Sequence, residues 1–312
     1  MMSLLVIREL SVDFPLPEGT VYALSGVSLE LGEEERLALI GETGSGKSVL
    51  AGAILRLLPA QARVRGEIWY RGTNLLALSP EEMRRFRGSE IALVMQNPAS
   101  ALNPVLTGGY QVREAVLRRG RLAKRLAQGK VAELLARVGL PERAASSYPH
   151  QLSGGMQQRL LLSLGLALAP RLLIADEPTK GLDWSLRSQI VQLLQDITAG
   201  QRAFILITHD LAAARYLAER VAVLYAGQVV EYGLAEDLFS LPRHPYTRGL
   251  FASHPARGLK PIPGMAPVLT SLSRGCRFQP RCGQARPVCA REDPPFVEIS
   301  EGYFVRCHRC FR

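Results

Sequence analysis

The 312-residue chain is 47% hydrophobic and 21% charged, which supplies a packed core and excludes disorder as a description of the whole chain. Its formal net charge of +10 points to an anionic partner: nucleic acid, a lipid surface or phosphates. The charge is concentrated, because residues 111–130 and residues 251–312 each carry a net of +6 and the remainder sums to −2.

Residues 4–12 and 21–31 alternate apolar and polar, which predicts two antiparallel strands joined through Pro15–Gly19. A short apolar strand follows at Arg36–Ile40, then a glycine-rich turn at Gly41–Ser48 and a helix over Val49–Leu58. Residues 63–78 read as strand and turn, 80–87 as a short helix and 90–95 as a strand. From about 110 to 168 the pattern is almost all helix, including the first basic region. A buried strand at Leu172–Ala175 precedes a helix at 184–197, a strand at Phe204–Thr208 and a helix at 210–219. The runs 221–225 and 228–232 around Ala226-Gly227 predict a hairpin. This order implies an α/β fold with an antiparallel β subdomain and a helical subdomain at about 110–168. Beyond residue 242 periodicity weakens, and 251–312 holds eight of the 20 prolines and all five cysteines. That stretch reads as a small irregular module, appended to a domain over 1–250, that needs a staple to hold its shape.

No membrane span is expected. The most apolar stretch, Leu160 to Ala169, is too short for the roughly 20 residues a helix needs, and Pro170-Arg171 follows it. A signal peptide is not expected either, because the N-terminus lacks a basic region and Arg8-Glu9 interrupts any apolar run. An odd number of cysteines without an export signal favours metal or redox chemistry over a disulfide scaffold.

Gly41-Glu42-Thr43-Gly44-Ser45-Gly46-Lys47-Ser48 fits G-x-x-x-x-G-K-[ST] between a predicted strand and a predicted helix. Glycines let successive N–H groups point at one anion, and the helix adds its positive end. Lys47 is expected to reach the β- and γ-phosphates, and Ser48 to ligate Mg²⁺. Asp176 and Glu177, ending the buried strand Leu172–Ala175, supply the complementary carboxylates. Asp176 is expected to hold Mg²⁺ through water, and Glu177 to polarise the water that attacks the γ-phosphate. The bland reading of each feature is a glycine turn and an acidic helix cap.

Gln151-Leu152-Ser153-Gly154-Gly155-Met156-Gln157-Gln158-Arg159 resembles the signature motif of ATP-binding cassette (ABC) ATPases, LSGGQ-x-QR, with Met156 in the usual glutamine place. Ser153, Gly154 and Gly155 at a helix start make a second anion site, which implies that two subunits share each nucleotide. The resemblance covers residues 4 to about 240 and assigns further roles. Gln96 resembles the Q-loop glutamine that senses Mg²⁺ and water and leads to the transporter contact. His209, in Thr208-His209-Asp210, resembles the switch histidine at the γ-phosphate. Asp183 resembles the D-loop aspartate at the dimer seam, although Lys180-Gly181 departs from the usual Thr-Ala or Ser-Ala before it. Phe14 has the spacing of the adenine-stacking aromatic, with Tyr22 as the competitor. Gln96 through Pro104, Ser153 through Met156 and Arg243-His244-Pro245-Tyr246-Thr247 together resemble the oligopeptide/dipeptide/nickel importer subfamily, in which Met after Ser-Gly-Gly is ordinary.

The tail spacing Cys276-x5-Cys282-x6-Cys289-x17-Cys307 resembles the extension of that subfamily, where such cysteines bind a [4Fe–4S] cluster. Four thiolates can close a cubane and anchor a proline-rich segment. A Cys₄ zinc site is the alternative, although its usual C-x₂-C pairs are absent apart from Cys307-x2-Cys310, and unmetallated thiols are the third reading. Cys310 is left over, and Arg274, Arg277, Arg281, Arg286 and Arg306 would offset an anionic cluster.

The resemblance implies an ATPase subunit that powers an importer for oligopeptides or dipeptides, or alternatively for nickel or a metal chelate. It implies partners as well: a second ABC ATPase subunit, two integral-membrane permeases and an extracytoplasmic binding protein. The chain would then lie at the cytoplasmic face of the inner membrane. A soluble ABC ATPase acting on nucleic acid is the opposing class, supported by Arg118, Arg119, Arg121, Lys124 and Arg125. A single cassette, no coiled-coil insert and no aromatics in the basic run weigh against it, so no nucleic-acid partner is expected.

Overall fold

Alternating apolar and polar residues build the first hairpin of the computed structural model, which describes residues 3–118, 124–255 and 258–310. Strand β1 (Ser3–Leu16) pairs antiparallel with β2 (Gly19–Gly32), from Ser3↔Gly32 to Leu16↔Gly19. Both strands outrun the expectation, which treated Pro15 as part of the turn. Proline is tolerated there because the pairing of β1 with β4 (Arg63–Tyr70) stops at Asp13↔Arg63. With β5 (Thr73–Asn74) these strands form a four-stranded sheet in the order β2-β1-β4-β5. Helix α1 (Lys47–Ile54) ends sooner than the expected Leu58, because Arg56 turns left-handed (φ 50°) and Pro59 disfavours helix before it.

Packing divides the chain into two units, Met1–Leu78 with Leu206–Arg312, and Ser79–Ile205. In the first, β3 (Arg36–Ile40) runs parallel to β9 (Arg220–Tyr225), which pairs antiparallel with β10 (Gln228–Leu234). The hairpin joining β9 to β10 turns on Ala226 (φ 47°) and Gly227 (φ 82°), two positive φ values in succession, as the expected two-residue turn requires. Leu37 through Ile40 are all buried, which marks a strand covered on both faces.

The tail departs from expectation. Among the described residues its weak periodicity conceals the α-helices α9 (Pro245–Ala252) and α10 (Pro287–Arg291) and the strands β11 (Val297–Ser300) and β12 (Tyr303–Val305). β12 pairs with β10 through Glu231↔Val305 and Tyr232↔Phe304, extending the order to β11-β12-β10-β9-β3. Tyr303, Val305, Phe278 and Cys307 then join one apolar cluster with Val221, Val223, Tyr225, Tyr246 and Phe251. Strands this short show no readable alternation, and only their partner reveals them.

Glu231 ties this junction. Its carboxylate is fully buried and accepts from the N–H groups of Arg243 and His244 and from the Tyr303 hydroxyl at 2.7 Å. Burial raises its pKa, while these donors oppose the rise. Glu231→Ala leaves three donors without their acceptor, and the expected loss is roughly 3 kcal/mol. A lowered midpoint in denaturant unfolding measures it, and an unchanged midpoint would show the junction to be dispensable.

The second unit holds α2 (Pro80–Phe86), capped by Ser79 and Glu82, then β6 (Ile91–Val94) and the four-residue α3 (Pro98–Ala101), which periodicity did not disclose. The expected helical region resolves into α4 (Gly108–Leu117), α5 (Lys124–Arg137) and α6 (Gly154–Leu166). Gly139 (φ 69°), Pro141 and Pro149 break it between α5 and α6. Strand β7 (Leu172–Asp176), helix α7 (Trp184–Thr198) and strand β8 (Ala203–Ile207) follow, and the unit boundary falls inside β8. The strand order here is β8-β7-β6, and every residue of β7 and β8 is buried. Among the described residues no helix is long and apolar enough to cross a membrane.

Candidate functional site

The phosphate loop leaves β3 and enters α1 with Gly41, Gly44 and Gly46 all at positive φ. Two of these glycines are required by space as well. A Cβ on Gly41 would lie 2.1 Å from the Leu224 carbonyl oxygen, and one on Gly46 would lie 2.7 Å from that of Ala23. Lys47 is buried, and its ammonium donates to the Gly41 and Glu42 carbonyl oxygens at 2.8 and 2.9 Å. The charge is thus held within the turn, while no side chain caps the first turn of α1. Ser48 and Thr43 are exposed and Ser45 is buried. Such a loop is built to receive an anion on backbone N–H groups and one lysine.

Three further residues belong to this unit. The Thr208 N–H donates to the Leu39 carbonyl oxygen at 3.1 Å, so His209 leaves its strand beside the strand that feeds the loop. Asp210 accepts from the Ala212 and Ala213 N–H groups and starts α8 (Leu211–Leu217), which leaves His209 exposed. Phe14 is half-buried opposite Val21, and Tyr22 is 40% exposed opposite Asp13, so both aromatics remain available to stack.

The other expected residues lie in the second unit. Parallel pairing of Val94 with Ala175 brings Gln96 and the pair Asp176-Glu177 to neighbouring strand ends. Both carboxylates are 9% exposed, and Glu177 takes φ 47° immediately before Pro178. A left-handed glutamate is a strained position, and such strain clusters at functional sites. Ser153 caps α6, its hydroxyl accepting from the Met156 N–H at 3.4 Å, with Gly154 exposed beside it. Gly155 lies against Leu186 of α7, whose cap is Asp183, accepting from the Leu186 N–H at 2.9 Å.

In the tail, Cys276, Cys282, Cys289 and Cys307 line one small cleft, partly open to solvent, with Phe278, His244 and His308. Gly275 permits this, because a Cβ there would lie 2.3 Å from the Cys289 carbonyl oxygen. Burial pushes the Cys276 thiol up to about 11 and raises that of Cys282. A hydrogen bond from the Cys310 thiol lowers the pKa of Cys307. Cys310 is not among the residues lining the cleft. The thiols share a cleft without closing on one point: among the described residues no group of three or more His, Cys, Asp or Glu is gathered to hold a metal ion.

Of the first basic region, Arg113 and Arg118 are exposed and Arg113 stacks over Tyr110. Arg119 and Arg121 lie outside the described residues, and of Lys124 and Arg125 only their place in α5 is described. Sequence reasoning missed two contacts to the phosphate loop, those of Tyr246 and Arg281. Tyr246 stood only as part of a subfamily resemblance and Arg281 only as one of several tail arginines.

Comparison with known proteins accounts for this arrangement. The model of the family described as "ABC transporter" matches residues 24–180, and that of "Oligopeptide/dipeptide transporter, C-terminal region" matches residues 230–289. The oligopeptide transport ATP-binding protein OppD of Bacillus subtilis is 40% identical over 97% of this chain and 88% of its own length. The dipeptide transport ATP-binding protein DppD of the same organism is 42% identical over 98% of this chain and 95% of its own. The solved ATP-binding cassette MJ0796, a dimer in a post-hydrolysis state with ADP and Pi, superposes with a TM-score of 0.68 at 30% identity, covering 74% of this chain and 98% of that one. With relatives this similar along nearly their whole length, and with the phosphate loop, signature turn and strand-end carboxylates in the matched region, the chain belongs to the ABC transporter ATPases, in their oligopeptide/dipeptide transporter group.

Proposed function

We propose that the chain hydrolyses ATP to power uptake of oligopeptides or dipeptides through two integral-membrane permease subunits fed by an extracytoplasmic binding protein. The observation that carries this is the joint match of its ATPase region and its C-terminal region to peptide-transport relatives over nearly their full length. In this reading residues 1–250 are the ATP-binding domain, with a helical subdomain at about 110–168 that meets the permease, and 251–312 are an extension. The chain would work at the cytoplasmic face of the inner membrane, held there by the permeases.

Gly41 through Ser48 would cradle the phosphates, with Phe14 on the adenine. Ser48 and Asp176 offer oxygen donors of the kind Mg²⁺ takes, and Gln96 would sense the ion and the water. Glu177 would take the proton of the attacking water, His209 would contact the γ-phosphate, and Ser153, Gly154 and Gly155 of a second ATPase subunit would close on the same nucleotide beside Asp183.

Cys276, Cys282, Cys289 and Cys307 line one cleft, and we read them as the ligands of a [4Fe–4S] cluster, with zinc in a Cys₄ site as the alternative; among the described residues no group of three or more His, Cys, Asp or Glu is gathered for a metal ion. When bound, such a group supplies a four-fold cross-link between tail segments, and the neighbouring arginines offset its charge.

Uptake of labelled dipeptides and oligopeptides in a strain lacking the gene tests the transport reading. Peptide uptake is expected to fall to background and to return with the gene. Intact peptide uptake with lost Ni²⁺ or chelate uptake would reassign the cargo.

A further inference from the structure

Glu42 sits awkwardly in a loop that receives phosphates. It follows Gly41 directly, and its carboxylate adds a negative charge where several more would bind. The structure shows where that charge goes. Arg281 grips the carboxylate with both ends of its guanidinium, Nη1 donating to Oε2 at 2.8 Å and Nη2 to Oε1 at 3.1 Å. The two residues are 239 positions apart in sequence, and Arg281 directly precedes Cys282.

The clamp is built in advance. Arg281 is buried, with a side chain only 7% exposed. Its Nε donates to the Pro263 carbonyl oxygen at 3.0 Å, and its guanidinium carbon lies 5.8 Å from the Tyr225 ring centre. A planar fork fixed on one side has little rotamer freedom left to lose, so its grip on a carboxylate is directional. A second contact acts on the same residue. The Glu42 N–H donates to the Tyr246 hydroxyl at 2.9 Å. Tyr246 and Tyr225 both pack edge-on to Phe278, at 5.5 and 5.3 Å between ring centres, and Phe278 lies between Cys276 and Cys282. Side chain and backbone of one loop residue are thus both held by the cysteine-bearing segment and its aromatic support.

We infer that Arg281 is a positioning residue for the phosphate loop, neutralising Glu42 and drawing its carboxylate away from the bound phosphates. The inference rests on the loop being the ATP site. ATP affinity is therefore coupled to the order of the tail through one ion pair, and the tail is part of the nucleotide-binding apparatus.

The test is the affinity of the full-length chain for Mg·ATP, measured by calorimetry with Arg281→Ala, with Glu42→Gln and with the two together. Arg281→Ala leaves an unneutralised carboxylate at the loop, and affinity is expected to fall about tenfold or more. Adding Glu42→Gln removes that charge, so the double variant is expected to recover most of the loss. Arg281→Lys keeps the charge without the fork and is expected to fall between Arg281→Ala and the parent. A tail that merely unravels would not be restored by a change in the loop. An unaltered affinity in Arg281→Ala, or an equal loss with and without Glu42→Gln, overturns the inference. Should Arg281→Ala not fold, the comparison of Arg281→Lys with and without Glu42→Gln decides in the same way. Failure of the parent chain to bind Mg·ATP would instead overturn the reading of the loop itself.

Discussion

Replacing Glu177 with glutamine is expected to stop ATP turnover while leaving nucleotide binding intact. Glutamine keeps the volume and one acceptor oxygen but cannot take a proton from the attacking water. A positioned general base contributes about 10²–10⁴-fold, so phosphate release at saturating ATP should fall by at least that lower factor. Binding should persist, because the proposed phosphate contacts are backbone N–H groups, Lys47 and Ser48 rather than this carboxylate. The position tolerates little else: Glu177 directly follows β7, is 9% exposed and sits at φ 47° before a proline. With hydrolysis blocked, the ATP-bound pair of subunits should accumulate, which sedimentation with and without ATP would show. Turnover near the parent rate would remove Glu177 from the role of base.

The second large effect concerns the tail. Chain purified without oxygen is expected to carry about four irons and a broad absorbance near roughly 400 nm. Cys289→Ser should lose most of that iron, because its sulfur lines the cleft and is buried. Cys310→Ser should retain the iron, because Cys310 is not among the residues lining the cleft. Zinc without iron, or equal iron loss in both variants, would overturn the cluster and its ligand set. Measuring metal content and ATP affinity on the same preparations also shows whether the two ends of the Arg281 clamp respond together.

Some of this was legible because local chemistry decides it. The phosphate loop could be read in eight residues, since glycine favours the positive φ at 41, 44 and 46 and the following helix start aims N–H groups at an anion. The strands at 36–40 and 172–175 were legible as short apolar runs, and the Ala226-Gly227 turn as a glycine-containing two-residue link between two apolar runs. The signature turn was legible as a serine cap before two glycines. Each of these depends on neighbours within a few positions.

What only the tertiary structure decided depends on neighbours far away. Tyr303–Val305 becomes a strand because β10 offers it an edge and Glu231 accepts its tyrosine hydroxyl. Tyr246 and Arg281 look like one tail aromatic and one tail charge until the fold carries them to Glu42. The four cysteines are a spacing in sequence and a shared cleft in space, brought together by close backbone approach at Gly275. A periodic pattern records which face of an element is buried, but not which distant segment buries it. The charge that first pointed to an anionic partner resolves accordingly: the core is proposed to meet phosphate through N–H groups and Lys47, while Arg281, one of the ten basic residues in the tail, pairs with the loop's own glutamate.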